Sequence, residues 1–245
     1  MELNEQDFKS ELSRVFKANG LSQFLSIEKS EKFLMLTKIM LEENEKYNLT
    51  AITEPNKIIL NHYADCAVLA LKLPKGAKII DIGCGAGFPT LPLAIARDDL
   101  KITAMDSTAK RVNYVAAAAE SLGLKNVTAV TMRAEDGSKS PEHREQFDFA
   151  TARAVAEMRV LTELCLPYVK VGGKMIAMKG KNAEFELSGA KRAIAILGGA
   201  SPKIENVTLT GGEENFSHPL ITIEKKIKTP VTYPRPYAQI SKKPL

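Results

Sequence analysis

The sequence predicts an α/β protein: a mostly parallel sheet with helices on both faces and a helical extension at its amino-terminal end. Three observations predict it. Residues 79–89, IIDIGCGAGFP, read as a buried strand that breaks into a glycine-rich turn and enters a helix. Beyond them β-rich runs and helical stretches alternate, which argues for right-handed crossovers between parallel strands. The stretch ahead of them shows helical periodicity only.

The extension covers residues 1–72. Phe8, Leu12, Val15 and Phe16 fall on one helical face, as do Phe33, Leu36, Ile39 and Met40; Ile58, Ile59, Tyr63, Ala67 and Leu71 mark a third helix starting near Pro55. Between the second and third helices, NLTAIT at 48–53 is a polar turn. His62 and Asp65 share a face at i and i+3; a lone histidine there is commonly a satisfied structural group.

The main domain is expected over residues 73–228. In its first strand Ile79, Ile80 and Ile82 surround Asp81. Gly83, Gly85 and Gly87 then remove Cβ atoms where the backbone turns tightly, and Pro89 suits a first helical turn. The spacing is G-x-G-x-G. A dinucleotide-binding G-x-G-x-x-G would need its third glycine at 88, where this chain has Phe88. A second strand, 101–106, closes on Asp106, 19 residues past Gly87, near the place where a carboxylate holds a ribose. Asp106 also reads as a cap or turn residue ahead of the helix 109–122, beside Ser107 and Thr108; the preceding glycine turn favours the ribose contact. A third strand, 127–132, ends in Arg133, Ala134, Glu135 and Asp136. A fourth, 147–152, runs into Arg153 and a helix over 155–169. A fifth, 175–178, is entered through Gly172 and Gly173, and a hairpin of 204–209 and 220–227 around Gly211-Gly212 closes a seven-stranded sheet. Ligands of such sheets sit beyond the carboxyl ends of the strands, so Gly83 to Phe88, Asp106, Arg133 to Asp136 and Arg153 fall along one rim.

With 245 residues and 44% hydrophobic content the chain can bury one sizeable core. The start, MELNEQDFKSE, does not read as a signal peptide and no apolar run approaches membrane-spanning length, so a soluble cytoplasmic protein is expected. Cys66, Cys84 and Cys165 lack metal-ligand spacing; reduced thiols and no metal are expected. Charge is informative by position. The last 22 residues hold six of the 34 Lys and Arg but one of the 29 Asp and Glu, so the whole formal excess of +5 lies there. The tail, 229–245, carries four prolines with Tyr233 and Tyr237 and is expected to be extended. Cations interleaved with aromatic rings suit a folded or single-stranded nucleic acid; a solvated tail that keeps the protein soluble reads equally well from composition.

Several motifs together carry a family resemblance. NLTAI at 48–52, His62-x-x-Asp65, DIGCGAGFP at 81–89, D-S-x-x-K-R at 106–111, Arg133-Ala134-Glu135 and TARAVA at 151–156 resemble the ribosomal RNA small subunit methyltransferase G family, also called glucose-inhibited division protein B. The resemblance runs from about Asn48 to the Lys-Lys-Pro-Leu end. It implies a Rossmann-like class I methyltransferase fold, S-adenosylmethionine as methyl donor, and N7 of one guanine in small-subunit (16S) ribosomal RNA as acceptor. The cofactor candidates are Asp81, Gly83, Gly85, Gly87, Phe88, Asp106, Ala134, Glu135 and Arg153; of these the resemblance implies Gly83, Phe88, Ala134, Glu135 and Arg153, while Asp106 rests on its place after the second strand. Arg153, Lys179 and His62 are the catalytic candidates. Asn48, Arg111, Lys179, Arg235, Lys242 and Lys243 are the candidates for contact with ribosomal RNA or the small ribosomal subunit, met by a monomer. Cys84 and Thr90 depart from the small residues common at those places, and 237–241 departs from the family's basic, glycine-containing run.

The chemistry agrees with what the chain lacks. Guanine N7 has an in-plane lone pair and no proton, so positioning and charge stabilisation suffice. The [Asp/Asn]-Pro-Pro-[Tyr/Phe] segment common in exocyclic-amine methylation is replaced by TARA at 151–154. Attack on a pyrimidine ring needs a cysteine nucleophile; Cys84 lies inside the turn, and Cys165 shares an apolar stripe with Leu161 and Tyr168. Two other readings stand beside this one. A nicotinamide-dependent oxidoreductase is disfavoured by Phe88 and the terminal hairpin; a non-enzymatic S-adenosylmethionine- or RNA-binding protein could keep the fold without transfer.

Overall fold

The computed structural model describes residues 3–212 and 215–245. Helix α1 (Glu5–Ala18) starts on Asn4, whose side-chain oxygen accepts from the backbone N–H of Gln6 and Asp7, and buries Phe8, Leu12, Val15 and Phe16. Helix α2 (Ile27–Tyr47) is capped by Ser26 and ends at Asn48, which takes a left-handed φ of 50°. The third expected helix is a run of three segments: α3 (Pro55–Ile58), a π-helical turn (Ile59–Ala64) and α4 (Asp65–Ala70). Leu71 lies past its end and is exposed. π-turns re-aim side chains and recur at functional sites, and this one carries His62.

The sheet follows. In chain order it comprises β1 (Lys78–Ile82), α5 (Thr90–Ala96), β2 (Lys101–Asp106), α6 (Ala109–Ser121), β3 (Val127–Thr131), α7 (Ala134–Gly137), β4 (Phe147–Arg153), α8 (Met158–Cys165), β5 (Val169–Met178), α9 (Ala183–Ile196), β6 (Gly199–Thr210) and β7 (Asn215–Lys225). Among the described residues these seven strands lie in the order β3-β2-β1-β4-β5-β7-β6. The first five pair in parallel, and β7 runs antiparallel between β5 and β6. β1 is buried along almost its whole length, as a central parallel strand covered on both faces must be.

Two corrections concern lengths. The helix expected over 155–169 shrinks to α8, followed by a 3-10 turn at Leu166–Tyr168, and leaves 154–157 as a loop on the rim with Ala154 at a φ of 56°. β5 begins at Val169, ahead of the glycines. Gly173 lies inside the strand, at a position that needs glycine because a Cβ there would stand 2.5 Å from the Asp148 carbonyl oxygen. Exposed residues 170–172 hide that half of the strand from an apolar pattern.

The amino-terminal helices share one core with a sheet face. Phe16 meets Phe33 edge-on at 5.5 Å, Phe33 meets Tyr63 at 4.9 Å, and the cluster continues through Ile79, Leu91, Ile176 and Leu220. On the other face Ile80, Met105, Phe147, Leu164 and Ile194 pack with Ile240 of the last helix, α10 (Tyr237–Lys242). The tail is therefore folded rather than extended. Arg144 donates to the carbonyls of Thr229, Pro230 and Tyr233. Lys225, part of the apparent basic excess, is 0% exposed and donates to Leu166 O and Thr229 Oγ1. Burial without full compensation lowers its ammonium to about 8.

Candidate active site

A cavity of about 310 Å³ opens at the carboxyl ends of β1 to β4. The glycine turn forms one wall. Gly83, Gly85 and Gly87 have φ of 70°, 51° and 83°, a region costly for other residues. Gly83 N and Cys84 N both donate to Met105 O, tying the turn to β2. A Cβ on Gly83 would lie 2.7 Å from Val155 Cγ2, on the loop that closes the opposite wall.

Asp106 is the turn and cap residue that one of its readings makes it. Its Oδ1 accepts from Thr108 N at 2.9 Å and its Oδ2 from Gly85 N at 3.1 Å, so it braces the turn and the start of α6. It also lines the cavity, 6% exposed, with free lone pairs for a ligand hydroxyl. Ala134 and Glu135 line the far end. Tyr168 donates to Ala134 O at 2.7 Å through the space that a Cβ on Gly137 would fill, fixing α7. Met105, Met132 and Leu164 supply an apolar lining. Backbone turn, two carboxylates and an apolar slot fit an adenosyl group: its flat base needs the slot and its ribose the acceptors.

Asp81 is corrected. It does not line the cavity; Thr90 Oγ1 donates to Oδ2 at 2.7 Å and Thr151 Oγ1 to Oδ1 at 3.3 Å. Burial pushes its carboxyl up to about 7. It braces the turn from below, and Thr90, a departure from the family pattern, is one of its donors. Gly85, Gly87, Phe88 and Arg153 also lie outside the lining. Gly87 gives Leu91 Cδ1 room at 2.6 Å from the missing Cβ, and so seats α5.

Phe88 and Arg153 belong to a second cluster beside the cavity. The Arg153 guanidinium lies 4.8 Å from the Phe88 ring centroid, and His62 stacks on the same ring at 4.3 Å. Arg153 donates to His62 Nδ1 at 3.1 Å, Asn61 O at 3.3 Å and Asp65 Oδ2 at 3.4 Å. His62 Nε2 faces Thr50 Oγ1 at 3.2 Å, and His218 of β7 pairs with Asp65 Oδ1. His62 Nδ1 lies between the Arg153 donor and the Asn61 carbonyl oxygen, 3.0 Å away, so both ring nitrogens have polar neighbours. Burial, then the Arg153 charge, lowers His62 to about 3. The expectation of a catalytic His62 is corrected: both ring nitrogens are engaged and the ring stays neutral, which makes it a positioning residue.

Lys179 is corrected too. It is nearly buried, donates to Ala156 O at 2.8 Å and pairs with Glu186 Oε2 at 2.6 Å; the same oxygen accepts from Met158 N. It therefore clamps the 154–157 loop and offers no free cation to phosphate. Arg235 donates from its N, Nε and Nη2 to Glu163, a 0% exposed carboxylate, and anchors the tail instead of reaching outward. Arg111 lines the cavity, exposed, 3.7 Å from Asp106 Oδ2; Asn48, Lys242 and Lys243 are exposed. Cys66, Cys84 and Cys165 are buried free thiols, and burial pushes each up, away from nucleophilic use. Among the described residues there is no cluster able to hold a metal and no helix long and apolar enough to cross a membrane. The residues that sequence reasoning missed are Thr50, Glu163, His218 and Tyr237. Tyr237 stood out only as a ring in the tail, yet it lines the cavity.

A family model described as rRNA small subunit methyltransferase G matches residues 29–215. The chain is 47% identical over 220 residues to the ribosomal RNA small subunit methyltransferase G of Clostridium perfringens (strain 13 / Type A), covering 89% of this chain and 91% of that one. It is 41% identical over 246 residues to the protein of the same name from Streptococcus pyogenes serotype M49, covering 99% and 100%. Among solved structures, an S-adenosylmethionine-dependent O-methyltransferase from Thermotoga maritima aligns with a TM-score of 0.52 at 16% identity over 78% of this chain and 72% of that one, a likeness of fold alone. With the glycine turn, the paired carboxylates and near-full-length similarity in agreement, the chain belongs to the rRNA small subunit methyltransferase G family.

Proposed function

We propose that this protein transfers a methyl group from S-adenosylmethionine to N7 of one guanine in small-subunit ribosomal RNA. One observation carries the reading: in a member of this family, Gly83, Asp106 and Glu135 line a single cavity. S-adenosylmethionine supplies a methyl group on a sulfonium, an electrophile that needs an aligned nucleophile.

The residues divide the work. Asp106, already held by two backbone N–H groups, offers a rigid pair of acceptors to the ribose hydroxyls. The Ala134-Glu135 end takes the base, and Gly83 lets the donor lie against the backbone. Arg153 locks Phe88 and the start of the 154–157 loop beside the reacting groups. No residue has to remove a proton, because N7 carries none, and a neutral, fully engaged His62 suits that requirement. Arg111 is a cation placed to meet a phosphate at the mouth, and Arg133 lines the same cavity. The protein acts as a monomer, and a ribosomal RNA acceptor implies the cytoplasm.

Mass spectrometry of ribosomal RNA nucleosides from cells lacking the gene tests the reading. Loss of one N7-methylguanosine, restored by the wild-type gene, is expected; an unchanged nucleoside profile overturns it. Tight NADH binding without S-adenosylmethionine binding would favour the oxidoreductase reading instead.

A further inference from the structure

We propose that Tyr237, supplied by the carboxyl-terminal tail, is a methyl-donor contact that walls the adenosine half of the cavity. The inference rests on the cavity being the S-adenosylmethionine site. Tyr237 lines that cavity with Met132, Ala134, Glu135 and Leu164, and it is 43% exposed, an aromatic body seated on one side and open on the other. It is the first residue of α10, which packs on α8, and α8 packs in turn on α7. This places the ring at the Glu135 end. A donor whose ribose meets Asp106 sends its base and its amino-acid arm to opposite sides, and the base side is the apolar one.

The ring is held from both directions. Arg235, two residues earlier, grips Glu163 with its backbone N–H and guanidinium, and Glu163 neighbours the cavity residue Leu164. Ile240, three residues later, is fully buried in the core under α8 and α9. The tail thus acts as a fixed wall with a flat aromatic surface, and stacking on a purine needs the ring face rather than the phenolic hydroxyl.

Calorimetric titration of S-adenosylhomocysteine and methylthioadenosine into wild-type, Y237F, Y237L and Y237A protein tests the assignment. Y237F is expected to bind both ligands within about twofold of wild type, and Y237A about tenfold more weakly. Y237L keeps apolar bulk at the helix start, guards against a folding defect, and is expected to fall with Y237A. In turnover, KM for the donor rises while kcat changes little. Wild-type affinity of Y237A for both ligands overturns the proposal, as does weakening confined to S-adenosylhomocysteine, which would move the ring to the amino-acid end. Failure of the wild-type protein to bind either ligand instead removes the methyltransferase reading on which the proposal stands.

Discussion

The two halves of the rim are built in opposite ways. The donor half is made by backbone: Gly83 to Gly87 turn, Asp106 catches Gly85 N from 21 residues away and Thr108 N from two, and the result is an open cavity. The Arg153 half is made by groups from the π-turn, α4, β4 and β7 around the Phe88 ring. Arg153 finds His62 and Asp65 91 and 88 residues away. A ligand site can leave its polar groups to water until the ligand comes. A cation that is 19% exposed against apolar rings cannot, so its partners must be recruited from wherever the fold brings them.

The contrast is broken hardest at Gly83. Gly83→Asp puts a side chain at positive φ and against Val155, with a second negative charge next to Asp106. Donor binding and methylation are expected to drop by about a hundredfold or more, while the melting temperature moves modestly. Residual wild-type methylation would show that the turn does not hold the donor.

Arg153→Ala acts on the other half and is expected to damage both properties. It leaves Asp65 buried with His218 alone and strips Phe88 of its cation, at a cost of about 3 kcal/mol in unfolding free energy together with loss of methylation. Arg153→Lys retains charge without the planar fork and is expected to recover stability more than activity. Urea denaturation alongside methylation of ribosomal RNA separates the two; unaltered stability in the alanine variant would remove the structural role argued for the cluster.

The two halves also titrate with opposite signs. His62 falls from 6.5 to about 3 in the fold, so the folded state binds fewer protons there; its contribution is present above pH 6.5 and is lost as pH falls toward 3. Asp81 rises from 3.8 to about 7, so the folded state binds more protons; its contribution is present below pH 3.8 and is lost as pH rises toward 7. Across that span Asp81→Asn is expected to gain on wild type with rising pH and His62→Gln with falling pH, each by about 2–3 kcal/mol. Urea midpoints at pH 4.5, 6 and 8 check this, and parallel curves for all three proteins would refute it.

What could be read in advance follows the same division. The glycine turn, the carboxylate at 106 and the alternating elements were legible because each is a local pattern, whereas the order of the strands depends on pairings between distant segments and came only with the structure. Asp65 sits at i+3 from His62, so their shared face was visible, but its second partner, His218, lies on a strand at the other end of the chain. Lys225 and Arg235 show the reverse failure. Composition counts them as free cations, and only the fold reveals Glu145 and Glu163 waiting for them. Arg235→Ala is accordingly expected to cost about 2 kcal/mol, since Glu163 is left buried while water reaches part of the vacated site. It should weaken donor binding through Tyr237 as well; a stability equal to wild type would mean that the tail is held without this pair.

The smallest effect belongs to the exposed cations, and it separates anchoring charge from charge that meets RNA. Lys242 and Lys243 stand exposed at the end of α10, whereas Arg235, a few residues earlier, is committed to Glu163. Each lysine that neutralises a phosphate releases a counterion, so replacing both with alanine is expected to reduce the slope of log affinity against log salt by about 1–2 and to leave the melting temperature alone. Arg235→Ala is expected to lower the melting temperature with little change in that slope. Filter binding of ribosomal RNA across a salt series measures both. If Arg235→Ala flattened the slope and the lysine pair did not, the tail would meet RNA through the residue that the fold assigns to its own interior, and the division drawn between the two kinds of charge would fail.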